Sequence, residues 1–250
     1  MTIAFRRISF IVIIAAIWEA TSRLSGLPDF MFPSLIQVFE TLFNGIINGQ
    51  ILVAVGKSLS RLLIGFSIAI VLGLIMGYLI WRYKLVEDTL GFLVTALQSI
   101  PSIVWFPLAI IWFGLNDMAI LFIVTIGATW TMTTSATSGF KNVPQLYQRV
   151  AKTFGSSGFH FIRTVILPAS VPHLLSGLRI AWAFSWRALM AGELLGAGGG
   201  LGQLLETGRS LGQMDLVISV MIVIAVIGTI IDQIFFTRLE RSVQTKWGVA

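Results

Sequence analysis

Apolar runs long enough to cross a bilayer alternate with short polar segments along the whole chain. A hydrocarbon core about 30 Å thick takes about 20 residues of helix. Six stretches meet or approach that length: about Ile8 to Leu24, Leu62 to Ile80, Thr89 to Asn116, Met118 to Phe140, about Leu174 to Leu195, and Leu216 to Phe236. The first follows Arg6 and Arg7 as a leader peptide would. Glu19 closes its apolar run and no clear small-residue cleavage site follows, so it reads as a retained helix. The second carries no charge and has Ala69, Gly73 and Gly77 at spacing four, which predicts close helix packing ahead of dimerisation. Pro101 and Pro107 interrupt the third. Each removes a backbone donor and crowds the preceding turn, so a broken or kinked helix is expected there.

Two amphipathic segments lie between the runs. In "LPDFMFPSLIQVFETLFNGI", Leu35, Val38, Phe39, Leu42, Phe43 and Ile46 recur at helical spacing after the openers Pro33 and Ser34. This segment is expected to lie along the outer interface as a lipid anchor, with reception of an external partner as the second reading. The other, "RVAKTFGSSGFHFIRTVILPASVPHLLSGLRIAW", is basic and punctuated by glycine. Val143-Pro144 opens a helix there, Leu146, Val150 and Phe154 share one face, and Arg149 and Lys152 point elsewhere. Gly155 is expected to end that helix, and Ser156 or Ser157 to cap a second one carrying Phe159, Ile162, Val165 and Ile166 that stops at Pro168. An apolar stripe of this kind must bury itself against the membrane surface or a partner protein.

Composition sharpens the class. With 56% hydrophobic and 11% charged residues, the chain lacks the polar surface of a water-soluble domain. Cysteine is absent, so there is no disulfide framework and no thiolate metal site. A net charge of +6 would suggest nucleic acid in a soluble protein. Here the cations sort by side instead, and no nucleic-acid role is expected. Arg6, Arg7, Arg82, Lys84, Lys141, Arg149, Lys152, Arg163, Arg238, Arg241 and Lys246 fall on one side of the membrane, while Arg23, Lys57, Arg61 and Arg209 fall on the other. That asymmetry places both termini and the segment from about 141 to 173 in the cytoplasm. Lys57 and Arg61 are expected to snorkel to the outer interface.

Ionisable residues within spans are functional candidates by default. Arg187 and Glu193 in the fifth span, Glu19 in the first and Asp232 in the sixth qualify. Arg187 can meet an anionic solute or pair with Glu19 or another buried carboxylate, and the structural pair is the expected role. Gln98, Ser99 and Pro101 sit where the third span breaks, beside protein or a water-filled path. Trp105, Trp112, Trp130, Trp182 and Trp186 can line a cavity, although packing or interface anchoring is commoner for tryptophan. "GAGGGLG", Gly196 to Gly202, lacks the strand-helix context and the Lys-Ser/Thr sequel of a phosphate loop and is expected to be a flexible external turn. His160 and His173 form no metal pair, and no acid-base dyad is visible, so neither a metal site nor catalysis is expected of this chain.

Arg149, Val150, Ala151, Gly155, Val165, Leu167 and Pro168 carry a resemblance. Their segment resembles the loop of permease subunits of bacterial ATP-binding-cassette importers, whose pattern is Glu-Ala-Ala, three residues, Gly, nine residues, Ile, one residue, Leu-Pro. Arg149 stands at the Glu position and Val150 at the first Ala. The resemblance extends through "FPSLIQVFETL", "SLSRLLIGFSIAIVLGLIMG", "SIPSIVWFPLAIIWFGLN" and "LLSGLRIAWAFSWRALMAGELLGAGGGLGQLL". This is similar to the branch importing nitrate, sulfonates and taurine.

The resemblance implies an all-α membrane protein of about six spans, one transmembrane domain over residues 1–250 with its core at 51–236, in the bacterial inner membrane. It implies a homodimer working with two ATPase subunits and a periplasmic or lipid-anchored solute-binding protein. ATP and Mg would sit on the ATPases, with no cofactor on this chain. Arg149, Val150, Ala151, Phe154, Gly155, Val165, Leu167 and Pro168 would then couple to the ATPase, and Gln98, Ser99, Pro101, Trp130, Arg187 and Glu193 are the candidates for the path. Nitrate, sulfonate or taurine, bicarbonate and small heterocyclic precursors are all compatible solutes. An ion-coupled secondary transporter is the alternative, although no internal repeat of the kind common there is visible.

Overall fold

The computed structural model describes residues 3–196 and 198–247, and every regular element among them is helical. Ala197 and the Lys246 side chain, both part of the readings above, lie outside the described residues. The elements are α1 (Ile3–Leu24), α2 (Leu35–Ile47), α3 (Gln50–Arg82), α4 (Lys84–Gln98), α5 (Ser102–Phe113), α6 (Asp117–Lys141), α7 (Gln145–Thr153), α8 (Gly158–Leu195), α9 (Leu201–Ser210) and α10 (Met214–Val243, continuing as helix to Trp247). Four of them, α3, α6, α8 and α10, are long and apolar enough to cross a membrane, and α4 with α5 reaches that length together as a pair bent by 97°, the geometry of a broken span or a re-entrant loop. The length of α1, 22 residues, suffices. However, every window of 18 residues within it holds at least three of Arg6, Arg7, Glu19 and Arg23.

Prolines act differently at each site. The break at Ser99–Pro101 is as expected, and Ser102–Trp105 follows it as a tight 3-10 turn. Pro107 causes no kink, because it sits in the first turn of the helix Phe106–Phe113, where its missing N–H would have had no intrahelical partner. The helix expected to stop at Pro168 does not stop. It runs from Gly158 to Leu195, because a wide π-turn over Ile162–Ile166 precedes the ring and gives the preceding carbonyls room. Along the proline-bearing stretch, Ser170 Oγ donates to Leu167 O at 3.0 Å and Ser176 Oγ to Pro172 O at 3.3 Å.

Contacts divide the chain into two units, one taking residues up to Ser58 with Glu193–Ile227, the other Leu59–Gly192 with the residues from Gly228 on. In the second unit, Leu62, Phe66, Val124, Met132, Trp182 and Phe236 form a common core. The small residues of α3 admit α6 closely, as their spacing predicted. A Cβ on Gly77 would lie 2.6 Å from that of Ala136, and Thr137 Oγ1 donates to Gly77 O at 3.4 Å. Apolar surface offers little driving force between helices inside a membrane, so such close packing carries the association. Gly77→Val is expected to cost about 1–3 kcal/mol by overpacking, read as a lower melting temperature in detergent. An unchanged value would show that α3 and α6 can part without loss.

Two arginines brace the same unit through ion pairs. Arg179 meets Asp232 through two bonds of 2.7 Å and Glu240 through one of 2.8 Å, tying α8 to α10. Asp232, a functional candidate by sequence, is thus part of a structural clamp. Arg61 does not snorkel. It is only 4% exposed and its Nη2 lies 2.7 Å from Asp117 Oδ1.

In the first unit, α2 opens with a reciprocal cap: Gln37 N donates to Ser34 Oγ at 3.3 Å and Ser34 N donates to Gln37 Oε1 at 2.8 Å. Val38 is fully buried, Thr41 Oγ1 donates to Asp215 Oδ2 at 2.5 Å and Ser219 Oγ donates to Val38 O at 2.8 Å, which fastens α2 to α10. Phe39 and Phe43 remain exposed. Glu19 accepts from Arg23 Nε at 2.7 Å and from Leu35 N at 3.0 Å, placing a carboxylate at the N-terminus of α2.

Candidate functional site: a polar groove and an exposed loop

The polar content of the spans is concentrated on α6 and α8. The run Thr131, Thr133, Thr134, Ser135, Thr137, Ser138 puts hydroxyls on several faces of α6. Those of Thr133 and Thr137 donate to the carbonyls one turn back, at 2.8 Å each, which satisfies the proton and leaves acceptor lone pairs. On α8, His173, Ser176, Ile180, Phe184 and Arg187 are all exposed, and their spacings of three and four put them on one face. Gly177 lets the two helices meet, since any Cβ there would run into Ser135.

A groove follows this contact. A cavity of about 530 Å³ is lined by Thr134, Ser135 and Ser138 of α6, His173 and Ser176 of α8, and Glu240 of α10. Across α6, Thr134 and Ser138 also line a cavity of about 360 Å³ with Thr95, Glu87 and Lys141, the last two forming an ion pair. Further along, Gln98, Pro101 and Ser102 meet Trp130, Thr131 and Phe184 around a small space of about 50 Å³. The structure thus brings together Gln98, Pro101 and Trp130, three of the candidates for the path. Ser99 is exposed at the break and donates its hydroxyl to Ala96 O at 2.6 Å. The Trp130 indole N–H has no hydrogen-bond partner among the described residues.

Arg187 departs from its expected role. Its guanidinium lies 5.4 Å from the centre of the Phe184 ring, it is exposed, and no carboxylate among the described residues forms an ion pair with it. Glu19 is engaged with Arg23 and the Leu35 amide instead. The anticipated Arg187–Glu19 pair therefore does not form, and the arginine stands next to a ring that lines the small space beside Gln98 and Trp130.

Glu193 has no exposed surface. The Ser58 hydroxyl lies 2.9 and 2.8 Å from its two oxygens, Gly202 N donates to Oε2 at 3.0 Å, and Leu201 N donates to Ser58 Oγ at 2.9 Å. The carboxylate thus sits at the N-terminus of α9, where the Gly202 amide, the Ser58 hydroxyl and the helix dipole favour it. Part of the glycine-rich run, expected to be an external turn, is tied to this cluster. Gly198, Gly199 and Gly200 take φ of 100°, 72° and 139°, Gly199 N donates to Gln203 Oε1, and a Cβ on Gly200 would strike Glu193. Sequence reasoning missed α9 because two glycines and three charged or amide groups dilute its apolar face. Leu201 and Leu204, both buried, were the available signal. On its exposed side, hydrogen bonds from Arg209 hold the Glu206 carboxyl below the usual carboxylate range.

The loop between α6 and α8 is an exposed apolar surface on a fixed base. Val143 and Ile166 are buried at its two ends. Between them Leu146, Val150, Phe154 and Phe159 stay exposed, Phe154 by 86%. Gly155 takes φ 77° with open space where a Cβ would be, so backbone conformation rather than crowding calls for glycine. Arg149 Nη2 donates to Gln145 Oε1 of its own helix at 3.3 Å. Ala151, Val165 and Pro168 are half-buried, and Leu167 is exposed.

Long apolar helices, a polar groove with one exposed arginine, and an unpartnered amphipathic loop define a multi-pass transport protein. Residues 69–245 match the model of the binding-protein-dependent transport system inner membrane component family, and the chain belongs to that family. It is 33% identical to a putative ABC transporter permease protein of Methanocaldococcus jannaschii, over 91% of this chain and 86% of that one. It is 28% identical to the nitrate import permease protein NrtB of Synechocystis, over 92% and 86%, and relatives of similar identity are named for aliphatic sulfonates, taurine and bicarbonate. Its fold matches that of the MetNI methionine ABC transporter in an inward-facing conformation, with a TM-score of 0.69 at 21% identity over 77% of this chain and 95% of that one. The chain is a translocation permease subunit of an ABC importer.

Proposed function

We propose that this permease carries a small anion and that the groove between α6 and α8 is its share of the path. The observation that carries this reading is Arg187, an arginine in a membrane-crossing helix with no carboxylate partner among the described residues, beside Phe184, which lines the small space next to Gln98 and Trp130. A cation in such a place is costly unless water or a passing anion meets it. The relatives named for nitrate, sulfonates, taurine and bicarbonate all handle solutes with an anionic group. Gln98, Ser99, Pro101 and Trp130 would flank the solute, with the Trp130 N–H as an uncommitted donor. Glu193 would serve the same pathway from outside it, by holding α9.

The rest of the assembly follows from family and chemistry. Six spans, counting α1, give both ends a cytoplasmic position, with residues 1–250 as one transmembrane domain of a bacterial inner membrane. One copy offers one wall, so a second copy completes the path by two-fold symmetry. A solute-binding protein delivers the anion outside. Arg149, Val150, Ala151, Phe154, Gly155, Val165, Leu167 and Pro168 dock on an ATPase subunit, which holds ATP and Mg. This chain itself catalyses nothing. A loop that binds both ATPase states equally would transmit nothing, so its fit must differ between them.

The experiment is uptake of nitrate, taurine and bicarbonate by the complete transporter in vesicles, wild type against Arg187→Gln. Losing a charge-assisted contact of about 1.5–3 kcal/mol predicts uptake of the carried anion reduced about 10-fold to 100-fold, with unchanged yield of folded protein. Unreduced uptake would remove Arg187 from the path, and lost folding would return it to a structural role.

A further inference from the structure

We infer that the pocket under the coupling loop is a binding site for the phosphate headgroup of an anionic phospholipid. The cavity measures about 580 Å³ and lies between the end of α3 and the loop, lined by Tyr78, Trp81, Arg82 and Tyr83 on one side and by Lys152 and Phe159 on the other. None of the described residues that line it is acidic. Both cations are exposed, and neither forms an ion pair among the described residues. Arg82 instead rests 5.5 Å from the centre of the Tyr83 ring.

Depth singles out the ligand. Between Arg61 and Arg82 the chain of α3 is free of charge. At about 1.5 Å per residue that interval spans about 30 Å, the thickness of the hydrocarbon core. Arg82 therefore stands at the level of the headgroups, with Tyr78 and Trp81 in the belt where amphipathic rings collect. Basic pockets at that level on the cytoplasmic side suit anionic headgroups. The acyl chains of a lipid held there would run down the exposed apolar face of α3, where Ile68, Val71, Leu72 and Ile75 are bare. A lipid so placed bridges α3 to α7, the helix that carries Val150 and Lys152. The inference does not rest on which solute is carried, only on α3 crossing the membrane.

The test is native mass spectrometry of the whole chain released from nanodiscs of phosphatidylcholine containing a minority of phosphatidylglycerol. Wild type should retain phosphatidylglycerol over phosphatidylcholine by on the order of tenfold, from two cations near the surface. Arg82→Gln with Lys152→Gln should bring that preference close to one. Lys152→Gln alone, on an exposed helix where folding is not at stake, should lower it several-fold. Arg238→Gln with Arg241→Gln removes the same charge elsewhere on that side and should leave the preference intact. An equal loss with this second pair would mean diffuse attraction, and release of the lipid by inorganic phosphate would mean a site for the free anion. Either result, or no preference in wild type, overturns the inference.

Discussion

Phe154→Asp is expected to leave the chain folded in the membrane and to reduce ATP-driven uptake to background. The ring is 86% exposed, so folding loses little. Docked on an ATPase it would contribute about 1.5–3 kcal/mol by burial. Aspartate forfeits that and adds the cost of a desolvated charge. The sum is at least about two orders of magnitude in ATPase affinity. Gly155→Pro should act alike for another reason: proline fixes φ near −65°, whereas the turn needs 77°, so α7 would be presented at a wrong angle. Co-purification of the ATPase and uptake in the same vesicles measure both effects. Normal uptake by both variants would mean that the loop does not transmit the ATPase motion.

Glu193→Leu should loosen the outer end of the chain most. It orphans the Gly202 amide and removes the acceptor of the Ser58 hydroxyl, both buried. An unsatisfied buried group costs about 1–3 kcal/mol, and the favourable interaction with the α9 terminus is lost as well. Amide exchange across Leu201–Ser210 should then accelerate about 100-fold, measured by hydrogen exchange with mass spectrometry. Glu193→Gln retains an acceptor and should accelerate exchange much less. Equal protection in wild type and Glu193→Leu would show that the glycine turn holds α9 without the carboxylate.

Local features were the legible ones. Hydropathy located α3, α6, α8 and α10, and the Ser34 cap and the Gly155 turn were read from residue type, because helix propensity, caps and positive φ act within a few positions. Pairings across long sequence separations were not legible. Nothing local distinguishes Arg179, which meets Asp232 and Glu240, from Arg187, which meets a ring, and only the fold decides which carboxylate arrives. Pro168 misled because the rule for proline assumes a regular α-helix, and the π-turn before it relaxes that assumption. Gln98 and Pro101 were singled out from the break in the third span and Trp130 as a tryptophan able to line a cavity, and the three line one small space, whereas of the α8 stripe from His173 to Arg187 only Arg187 stood out as a transport candidate, because the polar members are sparse among apolar ones.

The uninterrupted course of α8 past Pro168 has a mechanical consequence. From Phe159 at the loop to Arg187 the backbone is continuously helical, about 40 Å long at about 1.5 Å per residue. If the loop docks on an ATPase as proposed, a push there would travel along continuous helix, and the π-turn at Ile162–Ile166 and the prolines Pro168 and Pro172 are the points at which that helix can bend. A helix of that length tilted by about 5° as a whole would carry its far end about 4 Å, on the order of the diameter of a small inorganic anion.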